Sequence, residues 1–222
     1  MINDRLKKQL DFFLELDKMK NLYRQTYVLH ENRKENDAEH SWHIAITAFL
    51  LSEYANKEIN INKVVKMLLI HDVVEIDAGD TYCYDADGNS TKAEREEKAA
   101  QRIFGLLPED QKDEYYSLWR EFEDSKTNEA RFAAVIDRIQ PLLLKYTKEG
   151  ISWREHGIAK KQVLARNADY FNESDELAEL IKKALDNAEK NGWLKLLLGN
   201  MHNFKKDIQY TVTNAPNFVN KQ

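Results

Sequence analysis

Cysteine, proline and glycine are all scarce in this chain of 222 residues, and each scarcity excludes something. The only cysteine is Cys83, so no intramolecular disulfide framework exists, and a reducing, cytoplasmic compartment is the natural setting. With 7 glycines and 3 prolines, turns are few and long helices are expected. No apolar run approaches the ~18 residues that a membrane span needs. The N-terminal stretch MINDRLKKQLDFFLELDKMK is amphipathic and charged throughout, without the apolar stretch and cleavage site of a signal peptide, so a soluble intracellular protein is expected. A net charge of -5, with 32% charged residues, argues against the extended phosphate-binding surface of a nucleic-acid binder. A small anionic ligand needs only a local positive spot.

What is present is helical periodicity, with little strand-type alternation, and it predicts an all-α protein of one domain. The first helix is expected from Asn3 to Leu22. A polar loop around HENRKEND leads into AEHSWHIAITAFLLSEYA, where Asn36 or Asp37 can cap and His40, Ile44, Thr47 and Leu51 recur on one face. NINKVVKMLLIHDVVEIDAG reads as one helix stopped by Gly79. After the turn-rich TYCYDADGNS, Thr91 and Glu94 are spaced as a capping box, and Pro108 suits the first turn of the following helix. A helix over 127–149 closes at Gly150, and weaker ones are expected near 153–168 and 174–190. The domain is placed at 1–190, with 191–222 as a C-terminal extension that packs on it or is partly disordered.

Polar residues interrupt apolar helical faces in three places. His40 in AEHSWH occupies a core position. His71 and Asp72 are adjacent in IHDVVE, with Glu75 four and three positions on, which brings it alongside both on an α-helix. Asp137 sits in FAAVIDRIQPLLL, where Pro141 cannot donate to the carbonyl of residue 137 and predicts a kink. Taken singly, a histidine on an apolar face is most often a hydrogen-bonded core residue, and an aspartate can partner a buried arginine. One cation would resolve all three anomalies. Two imidazoles and two carboxylates suit Mn, Co, Fe, Ni, Zn or Mg, and a divalent charge offsets the desolvation of Asp72 and Asp137.

The ordered set His40, His71 with Asp72, and Asp137 resembles the H...HD...D signature of the HD-domain superfamily of metal-dependent phosphohydrolases, over roughly residues 10–150, with a signature core at about 24–149. The resemblance implies an all-helical HD-domain bundle. RKENDAEHSW followed by HDVVEIDAGD is most similar to the 5'-deoxynucleotidase branch: Arg33, Glu35, Ala38, Glu39 and His40 fit its segment before the first ligand, Arg24 is the candidate for its upstream arginine, and Gly79-Asp80 matches its closing pair. It implies hydrolysis of a nucleoside 5'-monophosphate to nucleoside and phosphate, with one divalent metal ion held by His40, His71, Asp72 and Asp137. Glu75 would be the proton carrier, or a partner of a ligand histidine. Arg24 would meet the phosphate, or bridge two helices; Asp80 would accept a sugar hydroxyl, or belong to a turn. Arg33 and Glu35 are expected to brace their loop as an ion pair, and His43 to support or pack beside the ligands.

No histidine falls between Asp72 and His156, which favours a single metal over the dinuclear branches. Rival readings remain: the same metal site acting on a nucleoside triphosphate or a (p)ppGpp-like alarmone, or a catalytically silent, nucleotide-binding domain. The aromatics Tyr115, Tyr116 and Trp119 belong either to the core or to a helix-to-helix interface. A homodimer is the family's habit.

Overall fold

The longest helix organises the rest. In the computed structural model, which describes residues 3–84 and 86–195, α8 (Asn128–Thr147) is buried along most of its length, from Ala130 through Phe132, Ile136 and Ile139 to Leu144. A helix apolar on nearly all sides must be surrounded. Around it pack α2 (Asp37–Leu51), α3 (Ile61–Ile70), α7 (Glu109–Asp124) and α11 (Asp175–Lys190). Their shared core includes Ile44, Leu68, Phe132, Ile136, Trp153 and Leu185. A second apolar cluster joins α1 (Asp4–Leu16), α4 (Glu75–Ala78), α6 (Lys92–Phe104) and α7 through Phe12, Val73, Val74, Phe104 and Trp119. Trp119 is therefore a core residue, with Tyr115 and Tyr116 packed against the same cluster.

The caps explain most boundaries. Asn36 starts α2 through a full capping box with Glu39, and Thr127 caps α8 through its hydroxyl. Gly79 ends α4 at φ 76°, a conformation that L side chains rarely adopt. Pro141 lies inside α8 without ending it.

Several expectations need correction. The first helix stops at Leu16 and tightens into a 3-10 segment, Asp17–Asn21. The polar loop contains a short antiparallel hairpin, β1 (Tyr23–Tyr27) with β2 (Lys34–Asn36), in which Tyr23 faces Asn36 and Tyr27 faces Lys34 across an irregular register. Its buried residues are the polar Thr26 and Glu35, so no apolar alternation announced it. Arg33 does not pair with Glu35: it bonds Glu31 and, through two nitrogens, Glu39. Thr91 makes no cap to the α6 backbone, and its hydroxyl accepts from Arg95 instead. A short helix, α5 (Ala86–Ser90), follows the TYCY loop. The stretch near 153–168 is two helices, α9 (Ile151–Glu155) and α10 (Lys160–Asn167), separated at Gly157 (φ 62°). Of the expected extension, residues 196–222 lie outside those described.

The correction that matters most is at 61–79, where one helix was expected. After Ile70 the backbone bonds contract to a three-residue spacing, with Val73 N to Ile70 O (3.2 Å) and Glu75 N to Asp72 O (2.9 Å), before α4 begins. At that spacing residues three apart eclipse. Glu75 is thereby set over Asp72.

Glu173, 4% exposed, ties three segments together: its carboxylate accepts from Arg131 Nε (2.6 Å) and Lys57 Nζ (3.1 Å), and its carbonyl accepts from Asn56 N (2.9 Å). Burial opposes the charge, but Arg131 and Lys57 outweigh it and lower the pKa. A depressed folded-state pKa contributes stability above the unfolded value, near 4.3, and loses it as pH falls through the folded one. Glu173→Gln is expected to cost about 2 kcal/mol in urea unfolding at pH 7, with the difference from wild type disappearing below pH ~4.

Candidate metal centre and the cavity beside it

Three elements bring the four predicted ligands together. α2 supplies His40, the tightened turn after α3 supplies His71 and Asp72, and α8 supplies Asp137. His40 Nε2 lies 3.1 Å from Asp137 Oδ1 and 3.8 Å from Asp72 Oδ2. His71 Nε2 lies 3.0 Å from Asp72 Oδ2 and 3.6 Å from Asp137 Oδ1.

The hydrogen bonds behind these atoms assign the imidazole protons. His71 Nδ1 is 2.9 Å from Leu68 O, which can only accept, so Nδ1 carries the proton and Nε2 presents a lone pair. For His40 the assignment runs through Gln140. The Glu35 carboxylate accepts from Gln140 Nε2 at 2.7 Å, which fixes the amide and turns Gln140 Oε1 toward His40 Nδ1 at 3.1 Å. Nδ1 must then donate, leaving the Nε2 lone pair to face the aspartates. His43, whose Nδ1 accepts from Gln140 Nε2 at 3.0 Å, belongs to this support and not to the ligand set.

Two lone pairs and two carboxylates thus converge in the interior, where an unpaired acceptor is costly. His40 is fully buried, and His71 Nε2 has no hydrogen-bond partner among the described residues. This donor set, with both Nδ1 protons tied back to acceptors, fits a divalent cation. Without a cation the same carboxylates favour a second proton on each imidazole: burial opposes the charged forms, yet Asp72 and Asp137 raise His71 well above its ordinary pKa and help to raise His40. In return the imidazoles lower Asp137 well below the usual range against its own burial.

The centre opens on one side into a cavity of roughly 140 Å³. Arg24, Glu75 and Asp80, the other predicted site residues, all line it with His71, Asp72 and Asp137. Glu75 groups with Asp72 and Asp37, their carboxylate oxygens within 4.8 Å of one another. Burial, reinforced by Asp72, raises Glu75 well above its ordinary pKa. Arg24 donates through Nη1 to Asp72 Oδ2 (2.6 Å) and Asp37 Oδ1 (3.2 Å). Asp80 follows Gly79, and burial, partly offset by Arg24, raises its pKa.

Sequence reasoning missed Asp37, Gln140, Lys92, Glu96 and Lys145. Asp37 was read only as a cap, yet it is fully buried and burial with the Asp72 charge pushes it up to about 7. Gln140 carried a readable signal, a buried amide three residues after Asp137. Lys92 and Glu96 pair at the cavity wall at 3.3 Å, with Glu96 pushed up to about 7 by burial.

A helical bundle with its imidazoles and carboxylates in this order defines an HD domain. The HD domain family model matches residues 16–179, and the chain belongs to that family. Among solved structures, it is similar to a predicted metal-dependent phosphohydrolase from Magnetospirillum magnetotacticum MS-1, with 47% identity and a TM-score of 0.82 over 87% of this chain and 100% of that one. An HD-domain phosphohydrolase from Listeria innocua, 19% identical over 82% of this chain and 90% of that one with a TM-score of 0.60, shares the fold. In sequence, the chain is 32% identical to the 5'-deoxynucleotidase HDDC2 of Homo sapiens over 50% of this chain and 53% of that protein. It is 32% identical to that of Dictyostelium discoideum over 63% of this chain and 77% of the relative. The match thus spans about half the length of the human relative.

Gln140→Leu removes the group that orients His40 and leaves Glu35 and His43 without their donor. It is expected to lower divalent-metal affinity about 10–100-fold, read by metal titration, with helical content unchanged.

Proposed function

We propose that this chain is a metal-dependent phosphomonoesterase that converts nucleoside 5'-monophosphates, deoxynucleotides above all, to nucleoside and phosphate. The observation that carries this reading is the convergence of two imidazole lone pairs and two aspartates on the floor of a cavity lined by Arg24 and Glu75. His40, His71, Asp72 and Asp137 hold one divalent ion of the Mn, Co, Mg, Fe, Ni or Zn group. Bound there, it supplies positive charge to a phosphate oxygen and acidifies water.

The remaining roles fall to the chain itself. Glu75, whose pKa is raised by burial and by Asp72, is placed to carry a proton to the leaving 5'-oxygen. Arg24 presents its guanidinium to the phosphate from its anchorage on Asp72 and Asp37. Asp80 accepts a hydroxyl of the sugar. The deoxynucleotidase relatives support a monophosphate substrate over the triphosphate and alarmone alternatives, and the full ligand set supports an enzyme over a silent domain.

Phosphate release measured across nucleoside mono-, di- and triphosphates, in ribo and deoxy forms, is expected to be metal-dependent and greatest for deoxynucleoside monophosphates. His40→Ala, Asp72→Ala and Asp137→Ala should lose both metal and activity. Glu75→Gln should retain metal and lose about 10²–10⁴ in kcat. A preference for triphosphates would replace this reading, and no release from any of them would remove it.

The proposal extends to assembly and compartment. No helix among the described residues is long and apolar enough to cross a membrane, and the lone free Cys83 suits the cytoplasm. On the outer face of α2, Trp42 (65% exposed), Ile46, Phe49 and Leu50 (68% exposed) form an apolar stripe of the kind that marks interfaces. A homodimer through that stripe is the expected assembly. Sedimentation should find wild type dimeric and the double variant Trp42→Glu, Phe49→Glu monomeric with its fold retained.

A further inference from the structure

The cavity continues along α8 beyond the metal centre. Asp137, Pro141 and Lys145 follow one another at four-residue spacing and all line it, so its wall runs about 12 Å from the first Cα to the last. Tyr82, Tyr84, Trp153, Val163 and Leu142 add aromatic and apolar surface to the same cavity. The Tyr82 and Tyr84 rings meet at 5.4 Å and 72°.

Within that apolar setting Lys145 has no ion pair or hydrogen bond from its ammonium to any described residue. Lys145 is partly buried, and an ammonium short of water and without a partner is costly. Burial lowers its pKa, and Arg24 and Arg166 push the same way against Cys83 and Asp80. Such a cost is retained where a ligand supplies the missing acceptor. The walls say which kind. Of the other cations that line the cavity, Arg138 is committed to stacking on Tyr170 (3.9 Å) and to donating to Arg166 O (2.7 Å), Lys92 is paired with Glu96, and Arg166 is exposed to solvent. Aromatic and apolar walls with a few donors suit a nucleobase edge.

Asn167, another lining residue, complements it. Its Nδ2 donates to Val163 O at 2.7 Å, which fixes the amide and leaves Oδ1 as an acceptor.

We propose that Lys145 is a specificity-determining residue, whose ammonium, together with Asn167 Oδ1, reads a keto group and the adjoining ring N–H of the substrate's base. Preferred bases are then hypoxanthine, guanine, thymine and uracil. Adenine and cytosine set an amino group against the ammonium, donor against donor. This inference rests on the nucleotidase reading above and names its substrate class.

The test compares 2'-deoxyinosine and 2'-deoxyadenosine 5'-monophosphates, matched in shape and differing at that edge, with 2-deoxyribose 5-phosphate as the baseless control. Both kcat/KM and calorimetric dissociation constants are measured for wild type, Lys145→Met and Lys145→Gln. Wild type is expected to favour the inosine nucleotide roughly 10–100-fold. Lys145→Met should abolish that preference, chiefly through KM, with a melting temperature no lower than wild type. Its loss on the inosine substrate should exceed any loss on deoxyribose 5-phosphate at least tenfold. Lys145→Gln, whose amide both donates and accepts, should narrow the preference while recovering part of the binding.

Equal treatment of the two nucleotides by wild type, a preference for adenine, or an equal loss on deoxyribose 5-phosphate would overturn the assignment. A Lys145-dependent keto preference in binding, without hydrolysis, would uphold it and remove the nucleotidase reading instead. Hydrolysis of both nucleotides with no dependence on Lys145 would do the reverse.

Discussion

Four acceptor atoms, two imidazole nitrogens and two carboxylate oxygens, are held within 4 Å of their neighbours in the interior of a helical bundle. Left alone, such a cluster works against folding, because buried acceptors face one another and only Asp72 Oδ2 gains a donor from outside the cluster, Arg24 Nη1. Much of the surrounding structure exists to hold it together. α8 is buried on nearly all sides, which fixes Asp137 and Gln140 rigidly. Gln140 in turn sets the His40 proton through Glu35, carried by a hairpin that Arg24 and Gln25 also tie to the domain.

The tightened backbone after α3 serves the same centre. A regular helix through His71 and Asp72 would turn Glu75 toward both. Contraction to three residues per turn stacks Glu75 over Asp72 and leaves His71 facing Asp137. One segment thus turns an imidazole and a carboxylate toward the buried cluster and sets a second carboxyl beside Asp72 and Asp37. Val73 and Val74, pointing away into the second apolar cluster, anchor the irregular backbone between them.

Arg24 connects the centre to the cavity. Its two aspartate contacts neutralise part of the negative charge that otherwise raises Asp37 and Glu75, and they hold a guanidinium where an anionic ligand would arrive. Charge is divided along the cavity in consequence. Carboxylates and Arg24 crowd the metal end, and Lys145 and Arg166 line the same cavity with the aromatic residues.

The polar cluster of His40, His71, Asp72 and Asp137, the all-helical class and the family were legible in the chain alone, because each rests on local chemistry: a histidine or aspartate placed on an apolar helical face is anomalous whatever surrounds it. Caps at Asn36, Thr127 and Gly79 were legible for the same reason, since capping is decided within one turn of backbone. Only the tertiary structure decided the rest. The hairpin depends on its partner strand and on Gln140, far away in sequence. The 3-10 contraction at His71 to Asp77 is a compromise between ligand geometry and two separate cores, which no single helical pattern records. Lys145 and Asp37 look like ordinary surface or cap residues until the fold encloses them, because burial and the absence of a partner are properties of the packed molecule and have no signature in sequence spacing.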